Sequence, residues 1–144
     1  MDGLIQFELT TPESQLVKKP VLQAILPTRE GEIGVLPGHV PLVAILVPGM
    51  ATLKLPDGTE EYLAVDSGFV EVLPGNRLVV LADGADRADD LDMQKVEEAR
   101  AAAESALQEA RGADAAAVAS MTAALNREMA KVKAVRRRRL PPAA

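Results

Sequence analysis

In the first half of the chain, apolar residues come in short runs separated by polar residues and turns. Ile5, Phe7 and Leu9 alternate with Gln6, Glu8 and Thr10, the two-residue period of a strand with one buried face. Further runs follow: VLQAIL, LVAILV, MATLKL, EEYLAV, FVEVL and RLVVLA. Between them lie Pro48-Gly49, Asp57-Gly58 and Pro74-Gly75-Asn76, where glycine accepts the positive φ of tight turns. Many short strands at this spacing predict an antiparallel β-sandwich over residues 1–84. Phe69, Val70 and Val72 are expected in its core.

Beyond this region the pattern changes to helical. Asp89 or Asp90 is expected to cap a first helix, whose inner stripe would be Leu91, Val96, Ala99, Ala103, Ala106/Leu107 and Ala110. Gly112 ends it and Asp114 caps a second helix, with Val118, Met121, Leu125, Met129, Val132 and Val135 along one side. Pro141-Pro142 stops the second helix. Composition supports the same seam. Nine of the ten glycines and eight of the ten prolines lie at or before Gly84, whereas alanine supplies 16 of the 54 residues from Asp86 to Arg139. The chain is therefore expected to be α+β: an N-terminal antiparallel β-sandwich (1–84) followed by a C-terminal two-helix antiparallel hairpin (85–144).

An alanine stripe buries little apolar area, so two such helices pair closely yet gain little from pairing. Their helix propensity is high, so each can persist after separation. The hairpin is thus either a permanently docked element or one that exchanges its partner surface for another protein's.

Charge sharpens this picture. Residues 1–85 carry 5 basic and 11 acidic groups, residues 86–126 carry 4 and 9, and residues 127–144 carry 7 and 1. The basic end comprises Arg127, Lys131, Lys133, Arg136, Arg137, Arg138 and Arg139. Cations at a helix C-terminus complement its dipole, but four consecutive arginines exceed what one turn requires. They suit docking to an acidic surface.

Several classes of chemistry are excluded. The 144 residues contain no cysteine, hence no disulfide framework, thiol nucleophile or Cys-based zinc site. A single histidine, His39, cannot build a multi-His metal site. No metal site and no catalytic residue is assigned. The longest mostly apolar stretch, Val40 to Val47, contains Pro41 and is far short of the ~20 residues that span a bilayer. The N-terminus lacks the basic start and apolar core of a secretory signal, so a cytoplasmic protein is expected. A net charge of −5 with two Phe, one Tyr and no Trp argues against nucleic acid as a partner.

Residues 30–42, EGEIGVLPGHVPL, followed by Pro48-Gly49, SGFVEV (67–72), VLAD (80–83) and DDLD (89–92), resemble the ε subunit of bacterial and chloroplast F-type ATP synthases. The resemblance spans nearly the whole chain. It implies a non-catalytic rotor subunit that links the γ subunit to the c-subunit ring and couples ion-driven rotation to ATP synthesis. It also implies a hairpin that extends into the α/β catalytic head and restrains ATP hydrolysis. The expected location is the cytoplasmic face of the inner (plasma) membrane, touched only indirectly through the complex.

The resemblance also assigns residues. It implies c-ring contact by the loop Glu30, Gly31 and Glu32, of which Glu32 matches the carboxylate set against the c-ring loops. For Glu30 the alternative is a solvated hairpin tip, and the glycine sets backbone geometry. His39 is a structural histidine, buried or bonded near the γ interface, since no partner group stands at a telling spacing. Lys133 and Arg136–Arg139 fall where the hairpin would dock the acidic segment of the β subunit. No cofactor is required, but some relatives bind regulatory ATP. Asp92 matches their motif, Lys95 replaces its arginine, and Val96 replaces its alanine. Ala102 stands where a further arginine belongs, while Arg127 and Lys131 supply cations on the second helix. Against ATP stands an ordinary Asp92–Lys95 pair on a helix surface. No Walker-type loop is present, so hydrolysis by the chain alone is not expected. The competing class is a stand-alone adaptor whose basic helix recruits an acidic protein. An enzyme built on Asp92, Lys95 and His39 lacks any assembled constellation.

Overall fold

Ten strands precede the helices in a computed structural model that describes residues 3–110, 112 and 114–139, with the side chain of Arg139 outside the described set. They are β1 (Ile5–Thr10), β2 (Gln15–Val21), β3 (Gln23–Thr28), β4 (Gly31–Val35), β5 (Leu42–Leu46), β6 (Gly49–Lys54), β7 (Glu60–Val65), β8 (Gly68–Leu73), β9 (Arg77–Ala82) and β10 (Ala85–Arg87). A 3₁₀ turn (Ala88–Asp90) leads to α1 (Met93–Glu109) and α2 (Ala115–Arg139). Hydrogen bonding runs β10-β7-β6-β3-β5-β8-β9-β1-β2, with β4 paired to β3 off this path. One layer holds β10, β7, β6, β3 and β4. The other holds β5, β8, β9, β1 and β2, and the Thr28–Leu46 bridge between β3 and β5 joins them along the sheet. The sandwich is antiparallel except where β1 lies parallel to β9. Its last strand, β10, continues three residues past Gly84.

The alternation seen in the sequence is the one the fold uses. Ile5, Phe7 and Leu9 are buried with Leu26, Leu46, Leu53, Leu63, Val70, Val72, Leu78 and Val80 from both layers. Phe69 departs from expectation. It lies one residue out of phase with Val70 and Val72, so the pleat turns it to the outer face, where it is 56 % exposed. Glu61 of β7 ties the far edges of the layers together, accepting Lys19 Nζ of β2 at 2.7 Å and Arg87 Nη1 of β10 at 3.4 Å. Gly68 is fixed by close approach, because a Cβ there would lie 1.9 Å from the Leu81 carbonyl oxygen.

The hairpin forms as expected, with corrections of detail. Asp92, rather than Asp89 or Asp90, caps α1: its side chain accepts from the backbone N–H groups of Gln94 and Lys95. Asp89 and Asp90 sit in the preceding 3₁₀ turn. Gly112 takes φ +94°, and Asp114 caps α2 through the N–H of Ala117 at 2.8 Å. The inner positions of α1 are Met93, Val96, Arg100, Ala103, Leu107 and Ala110, a three-four spacing that leaves Ala99 and Ala106 exposed. Arg100 therefore lies within the seam. On α2 the matching spacing runs Val118, Met121, Leu125, Glu128, Val132 and Val135, while Met129 is 51 % exposed. Pro141-Pro142 lies outside the described residues.

A second face of α2 packs on the sandwich. Ala130 and Ala134 are buried against Ala64 of β7 and Ala88, with Met50 and Tyr62 at the margin. The sequence gives no sign of this face, because alanine contributes so little hydropathy contrast.

Candidate interfaces of the sandwich and hairpin

The turn between β3 and β4 presents Arg29 and Glu30 to solvent. Gly31 takes φ +109°, and its carbonyl accepts from the Thr28 hydroxyl at 2.6 Å. Glu32 follows on β4, opposite Pro27 of β3, and is exposed. Glu30, Gly31 and Glu32 thus form one accessible acidic edge.

His39 is partly exposed, in the loop between β4 and β5. Its Nδ1 lies 2.7 Å from the Val40 carbonyl oxygen, and its backbone N–H donates to the Leu36 carbonyl at 3.1 Å. The loop is pinned to the β8–β9 turn, where the Asn76 side-chain oxygen accepts from the N–H of Gly38 at 2.7 Å. Bonding, rather than burial, holds this histidine.

Next to this loop, the outer face of β5, β8 and β9 carries an apolar patch that the sequence reading did not single out. Ile45 stands opposite Phe69, and Phe69 opposite Leu81, in one row across three strands. Val43 lies in the adjoining row, and all four side chains are exposed. Its signal in the sequence is strand parity: Phe69 and Leu81 alternate with core residues yet are themselves apolar. A contiguous exposed apolar row of this kind is a candidate interaction surface.

Four cations of α2 are paired with carboxylates of this same chain. Arg127 Nε faces Asp66 at 3.6 Å and Lys131 Nζ faces Asp86 at 3.7 Å. Arg136 Nη2 reaches Glu97 of α1 at 3.0 Å, and Arg138 Nη1 reaches Asp89 at 3.4 Å. The Arg137 guanidinium lies 5.9 Å from the centre of the Tyr62 ring. Glu97 also accepts Arg100 Nε at 3.0 Å; Arg100, and secondarily Arg136, holds its carboxyl below the ordinary glutamate range. Burial, and then the hydrogen bond to Glu60, raises Tyr62 above the usual phenol range.

The residues expected to hold ATP are only partly brought together. Arg127 and Lys131 line one small cavity of about 240 Å³, with Asp66 and Asp86 opposite them. Asp92 caps α1, and Lys95 is exposed outside this cavity. No group of three or more metal-ligating side chains occurs among the described residues. Among the same residues, no helix is long and apolar enough to cross a membrane.

Comparison with known proteins agrees with this architecture. Residues 4–88 match the family described as ATP synthase, Delta/Epsilon chain, beta-sandwich domain. An ATP synthase epsilon chain of Dichelobacter nodosus is 41 % identical over 104 residues, 72 % of each chain. ATP synthase epsilon chain 2 of Ralstonia nicotianae is 38 % identical over 137 residues, 94 % of this chain and 98 % of the relative. Among solved structures, a chain of the Euglena gracilis mitochondrial ATP synthase (OSCP/F1/c-ring) superposes with TM-score 0.78 at 25 % identity, over 92 % of this chain and 82 % of that one. A chain of the Tetrahymena thermophila central stalk and c-ring shares the fold, with TM-score 0.52 at 13 % identity over 60 % and 68 %. With its sandwich matched end to end and its helices covered by full-length relatives, the chain belongs to the delta/epsilon chain family of ATP synthase.

Proposed function

We propose that this chain is a central-stalk rotor subunit of an F-type ATP synthase, whose sandwich couples the γ subunit to the c ring and whose hairpin restrains ATP hydrolysis. It is a non-catalytic subunit of the complex, and its partners are γ, the c ring and the α/β head. The row of Ile45, Phe69 and Leu81, with Val43 beside it, supplies an apolar face for γ. The acidic edge of Glu30, Gly31 and Glu32 supplies a contact for the c ring. The complex places the chain at the membrane's cytoplasmic face without inserting it.

The observation that carries the regulatory half is the contrast in how the two parts are held. Leu, Ile, Val and Phe side chains of both layers interlock in the sandwich core. The buried seam between α2 and the sandwich is made of the methyl groups of Ala64, Ala88, Ala130 and Ala134, with Met50 and Tyr62 only partly buried at its margin, and of partly exposed ion pairs. Burying an alanine stabilises far less than burying a leucine, at about 25 cal/mol per Å². Surface ion pairs add about 0–1 kcal/mol each. The hairpin can therefore leave the body while the body stays folded. Its freed arginines then dock the acidic segment of the β subunit.

The test is ATP hydrolysis by the assembled complex carrying Lys133→Ala with Arg136, Arg137, Arg138 and Arg139 also replaced by alanine. Increased hydrolysis is expected, and unchanged hydrolysis would remove these cations from the mechanism. Co-purification with γ separates this reading from a stand-alone adaptor, which would be recovered without it.

A further inference from the structure

An open cleft of about 960 Å³ lies between the hairpin and the sandwich rim. It lies on a different side of α2 from the cavity of Arg127 and Lys131, and no residue lines both. Four cations enter it, Arg100 from α1 and Lys133, Arg136 and Arg137 from α2, against the single carboxylate of Glu32. In a chain of net charge −5, this is a concentrated positive site.

The cations are not all neutralised from within. Glu97 serves Arg100 and Arg136 together, and Glu104 also pairs with Arg100 at 2.7 Å, so the cations left over are Lys133 and Arg137. Among the described residues, no carboxylate lies within ion-pair distance of Lys133 or Arg137, and Arg137 rests on Tyr62 instead. Apart from Asn126, the other lining side chains are apolar, chiefly Pro27, Pro48, Met50, Met129 and Val132. Guanidinium forks and an ammonium converging from two helices match the several oxygens of a phosphate better than a lone carboxylate.

We propose that this cleft binds a phosphate anion of two or more negative charges, free in solution or at the head of an anionic lipid. The two sources share the charged chemistry, and the apolar walls accept the carbon portion of the second. Because its cations come from both helices, the site exists only while the hairpin is packed.

Calorimetry of the isolated chain with inorganic pyrophosphate tests the free anion. Sedimentation with phosphatidylcholine vesicles, with and without phosphatidic acid, tests the lipid. Saturable binding in either arm is expected, weakened about tenfold or more in the Lys133→Ala/Arg137→Ala double variant. Lys54→Ala removes one distant positive charge and should change nothing. Glu32→Gln removes the opposing carboxylate and should tighten binding roughly two- to fivefold. It keeps the proposal testable should the double variant lose helicity. Binding of pyrophosphate alone identifies a soluble ligand, and binding of phosphatidic acid vesicles alone identifies a headgroup. No heat at millimolar pyrophosphate together with no vesicle association overturns the site. So does binding that neither the double variant nor Glu32→Gln alters.

Discussion

If exposed ion pairs hold a weakly packed hairpin in place, removing two of them should measurably open it. Glu97→Gln with Asp89→Asn deletes the anchors of Arg136 and Arg138, which lie at 3.0 and 3.4 Å. Both pairs are substantially solvent-exposed, so each contributes about 0.2–1 kcal/mol after screening. Glu97→Gln also loses the pair with Arg100 three residues on, but that pair lies within α1 and is made in the open form as well, so it does not count toward opening. The sum over the two anchors, roughly 0.4–2 kcal/mol, multiplies the open population by about 2- to 30-fold. The chain contains no cysteine, so Ala134→Cys places a single thiol at a position that is 0 % exposed. The rate at which a thiol reagent labels this cysteine then reports opening. Labelling should accelerate by that factor in the double variant. Added salt should accelerate labelling of the single-cysteine parent more than that of the variant. A labelling rate unaffected by either the substitutions or salt would refute ionic anchoring. The seam's stability would then have to come from packing alone.

Other expectations concern separate parts of the molecule. Arg100, and secondarily Arg136, holds the Glu97 pKa below the ordinary glutamate range, so the contribution of its pair with Arg136 is present at neutral pH and lost as acidification protonates the carboxylate; thiol labelling should rise there and flatten in Glu97→Gln. Phe69→Asp with Leu81→Asp alters only the outer face, so thermal stability should change by about 1 kcal/mol or less while γ no longer co-purifies; retained γ would move that interface elsewhere. Gly68→Ala forces a methyl group onto the Leu81 carbonyl and should cost about 1–3 kcal/mol in denaturant unfolding, with an unchanged midpoint contradicting the close approach. Asp92→Ala removes a helix cap and should lower hairpin stability by roughly 0.5–2 kcal/mol without nucleotide, read by circular dichroism. Loss of an ATP response in that variant therefore does not identify a ligand contact. Lys95→Ala leaves the cap in place and is the discriminating substitution.

The sandwich was legible because its strands obey parity. Ile5, Phe7 and Leu9 point inward while Gln6 and Glu8 point away, and glycine turns mark where each run ends. The same parity already placed Phe69 opposite Val70 and Val72, but its size invited assignment to the core. The helical half was less legible because alanine carries no clear sidedness. Ala99 and Ala106 were as eligible for the seam as Ala103, and only the three-four spacing through Arg100 decides among them. DDLD offers three carboxylates that can cap, and the 3₁₀ turn selects Asp92. Site residues far apart in sequence were harder still. Nothing local in Arg136 indicates Glu97, or in Arg127 indicates Asp66, because these pairings arise only when α2 lies across the sandwich.

The shallow relief where α2 meets β7 also bears on speed. Lifting Ala130 and Ala134 away requires no bulky group to be extracted from a socket and no neighbour to change rotamer first. The barrier to departure should therefore stay low even under conditions where the closed form predominates. A rotating shaft would gain from such an arm, which can respond within a few turns rather than wait for a slow, cooperative unfolding event.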